Sequence, residues 1–329
     1  MSPFRLKRSL AASVWVLACL AIAYLLLPAH AVAKPTIAAL HLQTLRELAA
    51  LPDSQIDLLR IKLTIDRMID PAIDIDAEVA RVEAMAVELA GQVPLLASSR
   101  VKLDVLRRYV YQPGPWNQHR SFSYDLGDPF GRVLRNKLLP TYLNSRKGNC
   151  VSMPILFLAL GERIGLDLSL ATAPEHIFIK FRDDDGTLYN LETTSGAGVT
   201  RDLWMRKQLP MTDAAINNGI YMRPLTKREA IGVLADVLLS HYGRQKQTDA
   251  RIALATLMLE IDPRDVRAML ALRAAYRYMW ATEFVEKYPT PNDIPIPERP
   301  RFVELERSLL AWQRKAEALG WRMPPETYQ

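Results

Sequence analysis

The stretch Val151–Ile164 constrains the fold more than any other part of the chain. Ile155, Leu156, Phe157, Leu158 and Leu160 make it strongly apolar, and a helix apolar all round belongs inside a core. Gly165 is a good stop. Pro154 is tolerated only in a first turn, so the helix is expected to start at Asn149 or Cys150. Leu168–Thr172 and Ile177–Phe181 then read as strands, and the turn Asp183-Asp184-Asp185-Gly186 leads to a third, Thr187–Leu191. A buried helix backed by antiparallel strands gives the fold class α+β.

The flanks read as helical. Between Pro35 and about Arg108, Ile56, Leu58, Leu59, Ile61, Leu63, Ile65 and Met68 form an apolar stripe, with Asp57, Arg60, Lys62, Asp66 and Arg67 around it. Pro71 ends that helix, a second runs through Val79, Val82, Met85 and Leu89, and a third spans about Leu95 to Tyr111. A polar, aromatic loop, Gln112 to Gly131, follows. Beyond Thr200 an irregular stretch precedes helices at Arg228–Tyr242, Thr248–Ile261 and from Val266, a unit of tetratricopeptide-like length. Pro289, Pro291, Pro295, Pro297 and Pro300 mark a stiff extended linker before a last helix from about Phe302 to Leu319. The expected organisation is therefore a leader at 1–34, a helical region at 35–131, a core at 132–225, a helical unit at 226–282, and a linker with terminal helix at 283–329.

The leader is the second informative feature. Arg5, Lys7 and Arg8 precede the apolar run Leu10–Leu27, which ends at Pro28 and the small-x-small exits Ala29-His30-Ala31 and Ala31-Val32-Ala33. Its length suits either a cleaved signal or a membrane anchor, and both export the body to the periplasm or envelope. The net charge of +6 is spread among acids on helical stretches, which fits anionic surroundings and offers no concentrated patch for nucleic acid. Only Cys19 and Cys150 occur, so the exported body cannot form an internal disulfide. Cys150 is then inert, dimer-forming or a working thiol.

Its surroundings favour work. The segment Arg146-Lys147-Gly148-Asn149-Cys150-Val151-Ser152 sets the thiol at a helix start, where unsatisfied N–H groups favour an anion. Gly148 allows a tight entry, Arg146 and Lys147 add charge, and the Cys150 N–H is positioned to meet an oxyanion. A thiolate nucleophile needs an imidazole with its own orienting acceptor. Of the five histidines, His176 alone opens a strand, and an antiparallel partner brings Glu192 or Asn190 beside it. One Cys and scattered His give no metal-ligand spacing, Asp183–Gly186 reads as a turn rather than a calcium loop, and no cofactor is called for.

These residues resemble the bacterial transglutaminase-like superfamily, of papain-type cysteine peptidase chemistry. Arg146–Ser152 with Leu160-Gly161-Glu162-Arg163-Ile164-Gly165-Leu166 resembles its nucleophile helix. Pro174-Glu175-His176-Ile177-Phe178-Ile179 resembles its histidine strand, where Gly often precedes the His, and Asn190–Gly196 its acid strand. Ile56-Asp57-Leu58-Leu59 and Ile69-Asp70-Pro71 are similar to the helical half of one branch, which tends to end in tetratricopeptide-like helices. The resemblance implies Cys150 as nucleophile, His176 as its base and acid, and Glu192 as the orienting acid. Glu192 departs from the Asp-Pro usual there, which leaves Asn190 as an alternative orienter; Asn149 and Asn144 are further orienting or oxyanion candidates.

The implied function is an exported cysteine enzyme, hydrolase or acyltransferase, acting on amide or acyl bonds through a thioester. Location suggests a peptide or cell-wall-linked substrate. The alternative is a non-catalytic binding module that holds an envelope protein through its carboxy-terminal helices.

Overall fold

The computed structural model describes residues 36–323. The chain divides into Met1–Ile37 and Ala38–Gln329; the first unit lies almost wholly outside the described residues, and with it the leader at 1–34. Among the described residues no helix is long and apolar enough to cross a membrane.

Four helices come first among the described residues: α1 (Ile37–Ala49), α2 (Leu58–Ile69), α3 (Ile75–Ala90) and α4 (Ser99–Tyr111). Side-chain oxygens supply their starts. Asp57 accepts from the Leu59 and Arg60 amides, Asp74 from Ala77, and Ser98 from Val101. The Ser98 cap sets the α4 start later than the expected Leu95, and leaves Leu95 and Leu96 exposed in the preceding loop.

The core helix is α6 (Ser152–Arg163), preceded by the short α5 (Leu139–Ser145). Every residue of α6 from Ser152 to Gly161 is buried, as its all-round apolar sequence demands. Behind it lie β3 (Asp167–Ala173), β4 (His176–Arg182), β5 (Leu188–Glu192) and β6 (Gly198–Thr200), an antiparallel sheet in the order β3-β4-β5-β6. A two-residue parallel pair, β1 (Ser123–Tyr124) with β2 (Lys147–Gly148), ties the aromatic loop to the approach of Cys150. Strand periodicity gives the sheet two faces. Leu170, Ile177, Ile179 and Phe181 join the main core with α6, whereas Ala171, Ala173 and Phe178 pack against Met205, Ala215 and Ala316 on the other side.

Where an irregular stretch was expected after Thr200, two short helices form, α7 (Asp202–Gln208) and α8 (Asp213–Asn217). The helices α9 (Lys227–Arg244), α10 (Thr248–Ile261), α11 (Val266–Trp280) and α12 (Arg299–Ala318) follow. The proline-rich segment is not an extended linker. It folds into 3-10 turns at Pro291–Asp293 and Ile296–Glu298, and Phe284, Ile294 and Leu305 close a small apolar cluster beneath it. Prolines suit first positions of such turns and of α12 as well as extended chain. The result is a mostly helical α+β protein with a small antiparallel sheet.

One interaction is hidden inside α2. Lys62 and Asp66, one turn apart, are fully buried and paired. The Lys62 ammonium also donates to the Lys137 carbonyl at 2.9 Å, and Asp66 accepts from the Leu139 amide at 2.7 Å. Burial pushes the Asp66 carboxyl up from its usual range, against the pull of Lys62. Lys62→Met alone leaves a buried carboxylate unpaired and should destabilise by about 3–5 kcal/mol. Lys62→Met with Asp66→Leu should be less destabilised than Lys62→Met alone, as read by urea unfolding.

The β3–β4 hairpin turns through Pro174 and Glu175, with Ala173 opposite His176. Glu175 has φ +54°, a left-handed conformation that costs a residue with a Cβ about 1–2 kcal/mol. Glu175→Gly should therefore be tolerated, whereas Glu175→Val should lose about 1–2 kcal/mol in the same unfolding assay, since β-branched residues fit this region worst.

Candidate active site

The approach to Cys150 is fixed by backbone pairing and one small residue. Tyr124 lies opposite Gly148 in the β1–β2 pair, and the Asp125 amide donates to the Gly148 carbonyl at 2.8 Å. A Cβ on Gly148 would fall 2.6 Å from the Tyr142 ring and 2.8 Å from Met153, so the position excludes any side chain. Arg146 does not face the thiol as the sequence suggested. Its guanidinium donates to the Asn117 and Arg120 carbonyls and lies over the Phe122 ring.

Regular α6 begins at Ser152, but its first hydrogen-bonded turn starts at Asn149, whose carbonyl accepts from the Met153 amide at 3.0 Å. Asn149 Oδ1 accepts from the Val151 and Ser152 amides at 3.0 and 3.3 Å, and Ser152 Oγ accepts from the Asn149 amide at 3.2 Å. This reciprocal arrangement has the logic of a capping box. Asn149 Nδ2 reaches back to the Asn136 carbonyl. Asn149 is thus buried, and its side chain holds the turn. Cys150, the first residue inside that turn, is partly exposed, and its own N–H donates to no protein group among the described residues.

His176 opens β4 and Glu192 closes β5. The register pairs Lys180 with Asn190 and Ile179 with Leu191, so continuing it puts His176 and Glu192 on one face near the strand ends. His176 Nε2 and Glu192 Oε2 are 2.7 Å apart. The second carboxylate oxygen accepts from the Thr194 amide at 3.1 Å and the Thr194 hydroxyl at 2.6 Å. Here the longer acid finds its explanation. Glu192 caps the 3-10 turn Thr193–Ser195 with one oxygen while the other reaches the imidazole. Burial would raise the Glu192 carboxyl, yet these bonds hold it below the usual range.

With Nε2 committed to the acid, Nδ1 remains for the thiol. Cys150 Sγ lies 4.0 Å from the carbonyl oxygen of Glu175, the residue before His176. Burial alone would lower the His176 pKa, but contacts with Cys150 and Glu192 outweigh it and push it up to about 10. Catalytic hydrogen bonds in unliganded sites are often long. His176 and Glu192 are in contact, and the Cys150 thiol reaches the carbonyl of Glu175.

The other candidates are placed elsewhere. Asn190 accepts from Lys180 Nζ at 2.5 Å and donates to the Thr200 carbonyl and to Asp202. Lys180 lies four residues, about 13 Å of strand, from His176, so Asn190 does not contact the imidazole. Asn144 accepts from Arg81 at 2.6 Å and anchors α5 to α3. No group of three or more His, Cys, Asp or Glu able to hold a metal occurs among the described residues. The Asp183–Gly186 turn instead caps α4: Asp184 accepts from the Ser99 amide at 2.9 Å, and Asp183 accepts from the Ser99 hydroxyl.

Two residues of the site were not singled out from the sequence. Tyr124 donates to the Pro129 carbonyl at 2.6 Å, and its hydroxyl is pushed up by burial and by the charges of Cys150, Asp128 and Glu192. Asn136 supplies the carbonyl that braces Asn149, while its amide is held by Asp125 and Asp128. A two-residue strand leaves no periodicity to read. The polar run around Asn136 offers no signal beyond its composition.

Residues 76–232 match the transglutaminase-like superfamily, a span that takes in α4, the aromatic loop and the sheet. A UPF0162 protein of Xylella fastidiosa strain 9a5c is 20% identical over 259 residues, covering 75% of this chain and 89% of that protein. A UPF0162 protein of Buchnera aphidicola is 20% identical over 176 residues, half of this chain and 65% of that one. Among solved structures, that of menin, described by its binding site for the Mixed Lineage Leukemia protein, is similar over 86% of this chain and 69% of menin. Its TM-score is 0.38 and its identity 15%, too slight a likeness to carry an argument. Residues 76–232 are thus similar to the transglutaminase-like superfamily, and Cys150, His176 and Glu192 all lie within the matched span.

Proposed function

We propose that the protein is a cysteine enzyme of amide or acyl bonds, with Cys150 as nucleophile. One observation carries this reading. An imidazole fixed by a buried carboxylate on one nitrogen follows directly on Glu175, whose carbonyl is reached by a partly exposed cysteine at the first turn of a buried helix. That is the geometry of an activated thiol.

The chemistry follows from the contacts. The Cys150 proton passes to His176, and the thiolate attacks a carbonyl carbon. Negative charge gathers on the carbonyl oxygen, where the unengaged Cys150 N–H is available to stabilise it. The carbon–nitrogen bond breaks as His176 gives its proton to the leaving amine, leaving a thioester. Water or a second amine, deprotonated by His176, then attacks and releases Cys150. Water makes the protein a hydrolase, an amine makes it a transferase. Glu192 holds the ring and stabilises its charge. The basic start and apolar run of residues 1–34 support placing this activity outside the cytosol, on peptide or cell-wall-linked substrates.

Alkylation of Cys150 by iodoacetamide should be faster at pH 6 than that of an ordinary thiol titrating near 8.5, and should lose this advantage in His176→Ala. The rival reading, a binding module that makes no use of the thiol, predicts slow alkylation indifferent to His176. Because His176 keeps its proton up to about pH 10, its capacity as general acid should be lost as pH rises through that value.

Glu192→Gln removes the charge that stabilises the imidazolium while keeping the side-chain length. It should slow Cys150 alkylation at pH 6 by about 10-fold or more, in line with losses at orienting carboxylates. Glu192→Asp should fall between wild type and Glu192→Gln, because the shorter acid cannot both cap Thr194 and reach His176.

A further inference from the structure

Beside α4 runs a groove of about 720 Å³, within the roughly 300–1,000 Å³ of pockets that hold small ligands. Neither Cys150 nor His176 lines it. One wall is α4; opposite it stand Ser195 and Gly196, in the turn that follows Glu192.

The groove carries one uncompensated positive charge. Arg107 is occupied, donating to the Gly196 carbonyl at 3.1 Å and facing Asp104 at 3.5 Å. Arg108 is exposed and its guanidinium engages no acceptor among the described residues. The side-chain amides of Gln92 and Gln112, which also line the groove, are likewise unengaged. Apolar surface comes from Val101, which is exposed, with the buried Val105 beneath it. Leu95 and Leu96, fully exposed, follow Pro94 at its edge.

These three properties select a class of occupant. A free guanidinium asks for a carboxylate, free amides match a peptide backbone, and the apolar strip takes an aliphatic side chain. We propose that this groove docks an acidic peptide segment carrying an apolar residue.

Docking there also bears on the catalytic acid. The Ser195 hydroxyl donates to the Glu192 carbonyl at 3.4 Å, and the Ala197 amide donates to the same oxygen at 2.8 Å. An occupant pressing on Ser195 and Gly196 restrains the turn that Glu192 caps. Only this coupling rests on the proposed function; the docking does not need the thiol.

The test uses full-length protein carrying Cys150→Ser, which cannot turn the probes over, and calorimetric titration with capped tripeptides Glu-Leu-Glu, Gln-Leu-Gln and Lys-Leu-Lys. The acidic tripeptide should bind at least tenfold more tightly than the other two, a difference of about 1.4 kcal/mol. Its affinity should fall as salt is raised. Arg108→Glu, at an exposed position and checked for an unchanged melting temperature, should weaken it by tenfold or more. Equal affinity for the three tripeptides, no binding by any, or acidic binding indifferent to Arg108→Glu would each overturn the proposal. Those outcomes leave the alkylation behaviour of Cys150, and the reading built on it, untouched.

Discussion

The buried pair of Lys62 and Asp66 sets the terms on which the helical half meets the half that carries Cys150. Two charges removed from water cost several kcal/mol each unless every remaining hydrogen-bonding group finds a partner. Here the partners come from a distant part of the chain: the Lys137 carbonyl takes the ammonium and the Leu139 amide serves the carboxylate. Burial still pushes the Asp66 carboxyl upward, so attraction within the pair does not fully offset desolvation. Its value lies in specificity. The bonds from residues 137 and 139 fix that segment against α2, and the segment feeds α5, the glycine at 148 and the turn that carries Cys150.

From there the site is assembled by groups with little freedom. Asn149, Ser152 and Asn136 close a hydrogen-bonded loop around the start of α6, and the Tyr142 ring leaves room for nothing larger than glycine at 148. The acid is held as firmly, by His176 on one oxygen and Thr194 on the other. Side chains locked by such partners are what reactive geometry requires.

Much of this was legible in the sequence because it depends on short-range rules. An all-round apolar stretch with Pro154 near its start specifies a buried helix, and the histidine and acid strands follow from alternation and a turn. The reading failed where tertiary partners decide. Lys62 and Asp66 were placed on the polar margin of their helix, because a pair one turn apart looks the same in water as in a core; only the groups at 137 and 139 distinguish them. Asn190 was a rival to Glu192 until the register paired it with Lys180. The prolines after 288 read as an extended linker because composition cannot show that Phe284 and Leu305 draw that segment inward. The short β6 and α7 are too brief to leave a period.

The two-faced sheet has a mechanical consequence. Cys150 lies at the start of α6, which packs against the Leu170 and Ile179 face, whereas His176 stacks on Phe178 of the opposite face and is bonded to Glu192. Imidazole and carboxylate therefore move as one piece, and the thiol belongs to another. A sub-ångström slip of helix past sheet leaves the 2.7 Å contact intact while changing the gap that sulfur has to bridge. Under the proposed function, the sulfur-to-imidazole distance is thus a gauge of alignment between two layers.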